Sequence, residues 1–195
     1  SSAYQKSGGM NKRQAGEDFY FLQKIIELGN FTEHNSTCVF PSPRPSNRVP
    51  FGTGRSVSDW ILNLENDGNT KSWPVYSIFI FDELKKLNEM IPDLYLSNRA
   101  NLLNLHPLLI KYLKQNDFEK KLEEIRNNSS SPENFIKRFY NWMDAFWILK
   151  ASHFLRDEGL GEMDVKIASI ELLKRLNINF EHGLKETLFT YRKMD

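Results

Sequence analysis

Apolar residues recur every three or four positions through most of the chain after residue 55, a spacing typical of amphipathic helices. Ser56 or Ser58 can cap the first of these helices, and the turn-forming residues Asn66 to Asn69 should end it. Pro107 interrupts a later helix near its start, because proline lacks the amide hydrogen that a helix interior needs. The spacing predicts helices around Val57–Leu64 and over Phe79–Met90, Leu102–Lys114, Phe118–Arg126, Val165–Leu176 and Phe180–Tyr191.

The strongest helix signal begins at residue 131. Ser131 is a favoured N-cap residue, Pro132 fits the first helical position, and Glu133 puts negative charge where the helix dipole favours it. Apolar side chains then keep helical spacing as far as Arg156, which predicts one long helix and favours core packing for its aromatic residues. These apolar positions are Phe135, Phe139, Trp142, Phe146, Leu149 and Phe154. Residues 56–195 are therefore predicted to form a helical bundle.

The first 55 residues have a different character. They contain six of the ten glycines and four of the eight prolines, a density that indicates shaped loops. Between these loops, Glu17–Leu28 has an apolar face and is followed by Gly29, so we predict a short helix there. The segment Phe31–Phe40 contains threonine, valine and phenylalanine and predicts a strand. This change in composition divides the chain into two predicted domains, residues 1–55 and residues 56–195.

Charge and cysteine content narrow the class of protein. The chain has 26 basic and 25 acidic residues and a formal net charge of +1, which argues against a general binder of nucleic acids or anionic membranes. Cys38 is the single cysteine, which excludes an intrachain disulfide and makes a reducing compartment the default. The longest apolar runs, Ile78–Phe81 and Ala145–Leu149, are far shorter than the roughly 20 residues that span a bilayer. We expect a cytoplasmic protein without a transmembrane segment, with membrane association as an alternative.

The densest chemical signal is Gly8-Gly9-Met10 with the acidic pair Glu17-Asp18 shortly after it. Paired glycines allow the backbone to approach a ligand closely, and a helix start favours carboxylates through its macrodipole. An aspartate held there can act as a general base. From composition alone, the same residues also fit a glycine-rich turn followed by an acidic helix start, with no catalytic role.

The order Gly8-Gly9-Met10, a short spacer, Glu17-Asp18 and an amphipathic helix resembles a segment of the family-2 glycosyltransferases. In that family the aspartate of the pair is the base that deprotonates the acceptor hydroxyl during an inverting transfer from a nucleotide sugar. The resemblance implies this role for Asp18, with Glu17 beside it, and implies that the glycine turn lies near the acceptor. It covers about the first 55 residues, roughly the last third of such a catalytic domain.

A second segment, residues 41–55, is rich in proline, glycine and arginine. Its side chains Arg44, Ser46 and Arg48 suit a pyrophosphate, because guanidinium groups pair with phosphates through two hydrogen bonds. A polar loop with solvated arginines is the simpler alternative. In the family this region often carries a metal-ligating histidine near the donor diphosphate, but here no histidine follows until His106. Either arginine takes over that role or the donor is held differently.

The family also uses an Asp-x-Asp pair to hold a divalent metal on the donor diphosphate, and this sequence contains no such pair. We therefore hypothesise that the chain is the C-terminal piece of a glycosyltransferase whose nucleotide-binding βαβ units lie upstream. The implied fold is mainly α: the C-terminal remnant of an α/β, GT-A-like domain followed by a helical-bundle extension. Mg²⁺ or Mn²⁺ would be held by the upstream pair and not by this segment, which should be inactive alone. The implied partners are a nucleotide-sugar donor and a glycan or other hydroxyl acceptor.

Other interpretations remain open at this point. Residues 56–195 show no catalytic pattern, so they also fit a non-catalytic helical module that docks on a partner protein, on a membrane-bound assembly or on a second copy. A free-standing hydrolase that uses Glu17 or Asp18 with a distant carboxylate is a third interpretation, which no paired motif supports. Lys185–Lys193 has mixed charge and is expected to be a solvated face. A piece separated from its parent sheet can also form a homodimer that covers an exposed edge.

Overall fold

The computed structural model describes residues 2–12, 16–29, 32, 34, 36–37, 39, 42, 44–46, 52–67, 73–97, 102–181 and 183–194. The chain divides into two compact units, Ser1–Lys71 and Ser72–Asp195. The described parts are mainly helical, which confirms the predicted mainly α class. The domain boundary at residue 55 stays a prediction.

The first unit contains three described helices: α1 (Ser2–Lys6), α2 (Glu17–Leu28) and α3 (Thr53–Asp67). Helix α2 has the predicted bounds. It ends at Gly29, whose backbone φ of +67° leaves the helix while its N–H still donates to the carbonyl of Ile26. Half of the segment Phe31–Phe40 lies outside the described residues, and the residues described there (32, 34, 36–37 and 39) do not form the predicted strand. Of the turn predicted at Asn66–Asn69, the first two residues belong to α3 and the other two lie outside the described residues.

Helix α3 begins earlier than the sequence predicts. Neither Ser56 nor Ser58 is its N-cap, because the helix already starts at Thr53. The N–H of Ser56 donates to the carbonyl of Gly52, so the first helical hydrogen bond reaches back to that glycine. The Ser58 hydroxyl donates to the carbonyl of Gly54 at 2.9 Å, which is the behaviour of a serine inside a helix.

The second unit contains most of the described helices and a two-stranded sheet. The strands pair antiparallel, with Val75 opposite Met163, and they join the beginning of this unit to a segment near its end. Its elements are β1 (Pro74–Tyr76), α4 (Ile78–Met90), a 3-10 turn (Ile91–Tyr95), α5 (Pro107–Gln115), α6 (Phe118–Asn127), α7 (Pro132–Trp142), α8 (Ala145–Leu155), a π-helical turn (Arg156–Leu160), β2 (Glu162–Asp164), α9 (Val165–Arg175) and α10 (Leu184–Met194).

The long helix predicted from Ser131 to Arg156 is wrong, because the structure has two helices there. The predicted N-cap is present: the Ser131 hydroxyl accepts from the N–H of Asn134 at 3.3 Å. The chain leaves the helix at Met143, whose ψ of 60° is not helical. Asp144 is extended and its carboxylate accepts from the N–H of Trp147 at 2.8 Å, so this aspartate begins α8 as a new N-cap.

Two other helices start later than predicted. Helix α5 starts at Pro107 and not at Leu102, because proline fits the first helical turn and disfavours helix in the residue before it. Helix α10 starts at Leu184 and not at Phe180, directly after Gly183, a residue type that is unfavourable inside a helix.

A buried carboxylate ties α4 to the beginning of α5. Glu83 is 7% exposed, and its two oxygens accept from the N–H of His106 at 2.6 Å and from the ammonium of Lys86 at 2.5 Å. The hydrogen bond to Glu83 raises the pKa of Lys86. The carboxylate therefore satisfies a backbone donor at a helix start while it is itself paired.

Aromatic rings form the centre of the second unit. Phe135 and Phe139 are completely buried, and the Phe139 ring centroid lies 5.8 Å from that of Phe135, 5.4 Å from that of Trp142 and 6.2 Å from that of Phe118. Such tilted and edge contacts add about 0.5–1.5 kcal/mol each to the burial of the rings. Aliphatic side chains from the surrounding helices complete the core: Ile80, Leu87, Leu109, Leu113, Leu122 and Leu155.

None of the helices in the described ranges combines the length and the apolar character needed to cross a bilayer.

Candidate functional site

A tight turn follows α1 and contains the predicted substrate-binding residues Gly8, Gly9 and Met10. Gly8 and Gly9 have φ values of +71° and +70°, a left-handed conformation that glycine adopts without steric cost. The N–H of Gly9 and the hydroxyl of Ser7 both donate to the carbonyl of Tyr4, each at 2.9 Å. The turn is therefore folded back onto α1.

Tyr4 holds this turn from one side. A Cβ atom on Gly9 would lie 3.1 Å from the Tyr4 ring, so only glycine fits without displacing the ring. The Tyr4 hydroxyl accepts from the N–H of Met10 at 3.4 Å, and the Tyr4 ring centroid lies 5.7 Å from that of Phe21 in α2. Tyr4 thus connects the glycine turn to α2.

We expect Tyr4→Phe to loosen the turn without disturbing α2. The substitution removes the oxygen that accepts from Met10 but keeps the ring that contacts Phe21. Because one hydrogen bond is worth about 0.5–1.5 kcal/mol, the amide of Met10 should exchange with solvent about two- to tenfold faster. Hydrogen exchange measured by NMR checks this, and the amides of α2 serve as the internal control. Unchanged exchange at Met10 would show that the hydroxyl does not hold the turn.

The predicted catalytic pair opens α2. Gly16 precedes it in a left-handed conformation, with a φ of +72°, and Glu17 and Asp18 occupy the first helical turn. One oxygen of Asp18 accepts from the N–H of Phe19 at 2.8 Å, and the side chain is exposed to solvent. The helix macrodipole stabilises negative charge at this end. Asp18 is therefore an oriented carboxylate that an incoming hydroxyl can reach.

The contact between Tyr4 and Phe21 connects the two halves of the candidate site. Phe21 is three residues after Asp18, and side chains at that separation are neighbours on a helix surface. The turn at Gly8–Met10 is accordingly linked through Tyr4 to α2, the helix that begins with Glu17 and Asp18. Sequence reasoning missed Tyr4, since the only available signal was an aromatic residue shortly before a glycine pair.

The predicted phosphate-binding residues Arg44 and Ser46 lie near a different helix end. The N–H of Ser46 donates to the carbonyl of Gly54 at 3.1 Å, so the segment meets the first turn of α3. Arg44 is exposed and makes no ion pair with another described residue, whereas Arg55 pairs with Asp59 at 3.0 Å. Arg48 lies outside the described residues.

Gly54 is the position that permits this approach, and the sequence did not single it out for packing. A Cβ atom there would lie 2.6 Å from the Cβ of Ser46. We therefore expect Gly54→Ala to lower the free energy of unfolding of the first unit by about 1–3 kcal/mol through overpacking, despite the better helix propensity of alanine. The double variant Ser46→Gly/Gly54→Ala removes the clashing atom and should recover most of the loss. Thermal unfolding measures both effects, and a Gly54→Ala protein as stable as the wild type would contradict the prediction.

The chain was compared with known proteins on three levels. No protein-family model, no curated protein and no solved structure matches it.

Taken together, the predicted site residues fall into two groups within the first unit. The glycine turn and Asp18 are linked through Tyr4 and Phe21, and Ser46, two residues after Arg44, contacts the start of α3. Asp18 and Arg44 share no hydrogen bond or ion pair. Among the described residues, no three histidine, cysteine or acidic side chains are grouped closely enough to hold a metal ion.

Proposed function

We propose that this chain is the acceptor-side, C-terminal piece of an inverting, family-2 glycosyltransferase that uses a nucleotide-sugar donor. The observation that carries the proposal is the glycine turn linked through Tyr4 and Phe21 to α2, the helix that begins with Glu17 and Asp18. The exposed carboxylate of Asp18, together with the exposed residues Gly8 and Met10 of the turn, suits the capture of an acceptor hydroxyl. The proposal of this particular family comes from the order of these motifs in the sequence.

In the proposed reaction, Asp18 is the general base and Glu17 adds negative charge beside it. The acceptor hydroxyl gives its proton to a carboxylate oxygen of Asp18 while the hydroxyl oxygen forms a bond to the anomeric carbon. The bond from that carbon to the diphosphate breaks, and its electron pair leaves with the nucleoside diphosphate. Attack opposite the leaving group inverts the anomeric configuration. The backbone of Gly8-Gly9-Met10 lines the acceptor side in this arrangement.

Arg44, Ser46 and Arg48 are proposed to contact the diphosphate of the donor. Guanidinium groups would balance the charge that develops on the leaving group. The described residues do not supply the ligands of a divalent metal, so no step is assigned to one. A metal site, together with the nucleotide-binding units, belongs to the upstream region in this proposal.

The test is to read the gene upstream of Ser1 and to assay the full-length product. A panel of uridine, guanosine and thymidine diphosphate sugars provides the donors, with hydrolysis measured where no acceptor is added. We expect an upstream βαβ region with an Asp-x-Asp pair, transfer activity, and a product of inverted anomeric configuration by NMR. The isolated 195-residue chain should be inactive. Retained configuration, or a full-length protein without the upstream region, would overturn the proposal.

A second candidate, a non-catalytic interaction module, is favoured by one observation on the second unit. An apolar groove with a volume of about 530 Å³ lies between β1, α4, α9 and α10, with Phe81, Leu172 and Tyr191 among its lining side chains. Exposed apolar surface of this kind is common at interaction sites. The two functions are compatible, since a helical module can recruit an acceptor or a partner for the enzyme. A full-length protein that lacks transfer activity but captures a partner through this groove would favour the module.

A further inference from the structure

Helix α10 has one face fixed against the second unit. Thr187 is buried, and the Tyr191 hydroxyl donates to the carbonyl of Ser169 in α9 at 2.7 Å. Because these two residues are four positions apart, they lie on the same side of α10, and that side faces the rest of the second unit. The opposite side of α10 is therefore held toward solvent in a defined orientation.

The solvent side of α10 combines apolar and basic residues. At 100° per residue its members occupy one continuous half of the helix surface. Leu184, Leu188 and Phe189 are 65%, 50% and 47% exposed. The complete outer face consists of Leu184, Leu188, Arg192, Lys185, Phe189 and Lys193.

The outer face itself carries three positive charges and no carboxylate. None of the three cations, Lys185, Arg192 and Lys193, forms an ion pair with another described residue. The Lys185 ammonium lies 5.8 Å from the centre of the Phe189 ring. Glu186 is the one acidic residue among those described in α10. Its carboxylate folds back over Gly183 at the helix start, and Glu186 and Glu181 line a pocket beside Phe189 and Lys193 at the edge of the outer face.

The composition of this face distinguishes among solvent, a second copy of the chain and a membrane as what covers it. The sequence-based expectation for Lys185–Lys193 is a solvated face of mixed charge. That expectation leaves out the exposed leucines and phenylalanine, which a purely solvated face does not need. A second copy docking face to face would bring three cations against three cations, which is unfavourable. An interfacial helix combines bulky apolar side chains with lysine and arginine at the surface of an anionic bilayer, and the outer face of α10 carries both. The net charge of +1 hides this local excess.

We propose that the outer face of α10 binds the surface of an anionic lipid membrane. Leu184, Leu188 and Phe189 enter the boundary between headgroups and acyl chains, and the three cations contact lipid phosphates. The helix lies in the plane of the interface and does not cross the bilayer. This property is independent of the proposed transferase activity, because it belongs to the second unit alone.

Vesicle co-sedimentation of the full chain tests the proposal. Vesicles of phosphatidylcholine alone are compared with vesicles of equal parts phosphatidylcholine and phosphatidylglycerol. Three juxtaposed cations should raise the partition coefficient on the anionic vesicles by about a hundredfold, and added salt should reduce it. Phe189→Ser should lower it about tenfold through lost apolar insertion.

Matched charge variants distinguish vesicle binding by this local face from vesicle binding due to the overall charge of the chain. The triple variant Lys185→Gln/Arg192→Gln/Lys193→Gln should lose the preference for anionic vesicles. A control triple, Lys114→Gln/Lys120→Gln/Lys137→Gln, removes the same number of exposed cations elsewhere in the second unit and should keep it. Circular dichroism verifies that both variants are folded. The proposal is overturned if the two triples sediment alike or if the wild type does not prefer the anionic vesicles.

Discussion

Asp18→Asn in the full-length protein should lower kcat for sugar transfer by about 10²- to 10⁴-fold, the usual contribution of a general base. Asparagine is nearly isosteric and can still accept from the N–H of Phe19, so α2 should start at the same residue. It cannot take up the proton of the acceptor hydroxyl. The KM for the donor should change little, because the donor is assigned to other residues. Steady-state kinetics with varied donor and acceptor measures both parameters.

Two control variants make the result specific to Asp18. Asp59→Asn is the same chemical change on a partly exposed aspartate of α3, and it should leave kcat within about twofold because it breaks only a surface ion pair. Glu17→Gln should reduce kcat less than Asp18→Asn, since Glu17 only adds charge beside the base. Transfer that survives Asp18→Asn at near wild-type rate would exclude Asp18 as the base.

The second large effect concerns stability. Phe139→Ala should lower the free energy of unfolding of the second unit by about 3–5 kcal/mol, a large part of the roughly 5–15 kcal/mol available to a domain. Phe139 is completely buried among three aromatic rings, so truncation leaves a cavity lined by rigid neighbours. Urea unfolding followed by tryptophan fluorescence reports on this site, because Trp142 is in contact with it.

Phe79→Ala is the matched control for Phe139→Ala. It removes the same atoms from a ring that is 58% exposed and whose main partner is the guanidinium of Arg175, 5.8 Å from the ring centre. A loss below about 1 kcal/mol is expected there. Equal losses of unfolding free energy at the two positions would mean that Phe139 is not central to the hydrophobic core.

Local signals predicted much of the fold. The bounds of α2 follow from an acidic start, an apolar face and a terminal glycine, all of which act within a few residues. The break between α7 and α8 could not be read in the same way. The apolar spacing continues through it, and Asp144, a favoured N-cap residue, begins the new helix inside that spacing. Periodicity does not distinguish one helix from two that share a core.

The candidate site was predictable in its residue types but not in its connections. The glycine pair, Asp18 and Arg44 stand out because their chemistry is unusual for a plain loop or helix. Tyr4 and Gly54 do not stand out, since their importance comes from the contacts with Phe21 and Ser46 that form only in the folded unit. The catalytic and phosphate-binding roles stay predictions until the kinetic tests are made.

The pairing of β1 with β2 has a consequence for biosynthesis. The backbone of Ile78, just after β1, already contacts Met163, 85 residues further along the chain. During synthesis β1 therefore stays unpaired while the four helices α5 to α8 emerge from the ribosome. A strand edge exposed for that time can recruit a neighbouring nascent chain, and Pro74 at its first position removes one of the donors that such a pairing would use. The sheet can therefore close only after Asp164 has left the exit tunnel, and α9 and α10 must emerge after it before the unit is complete.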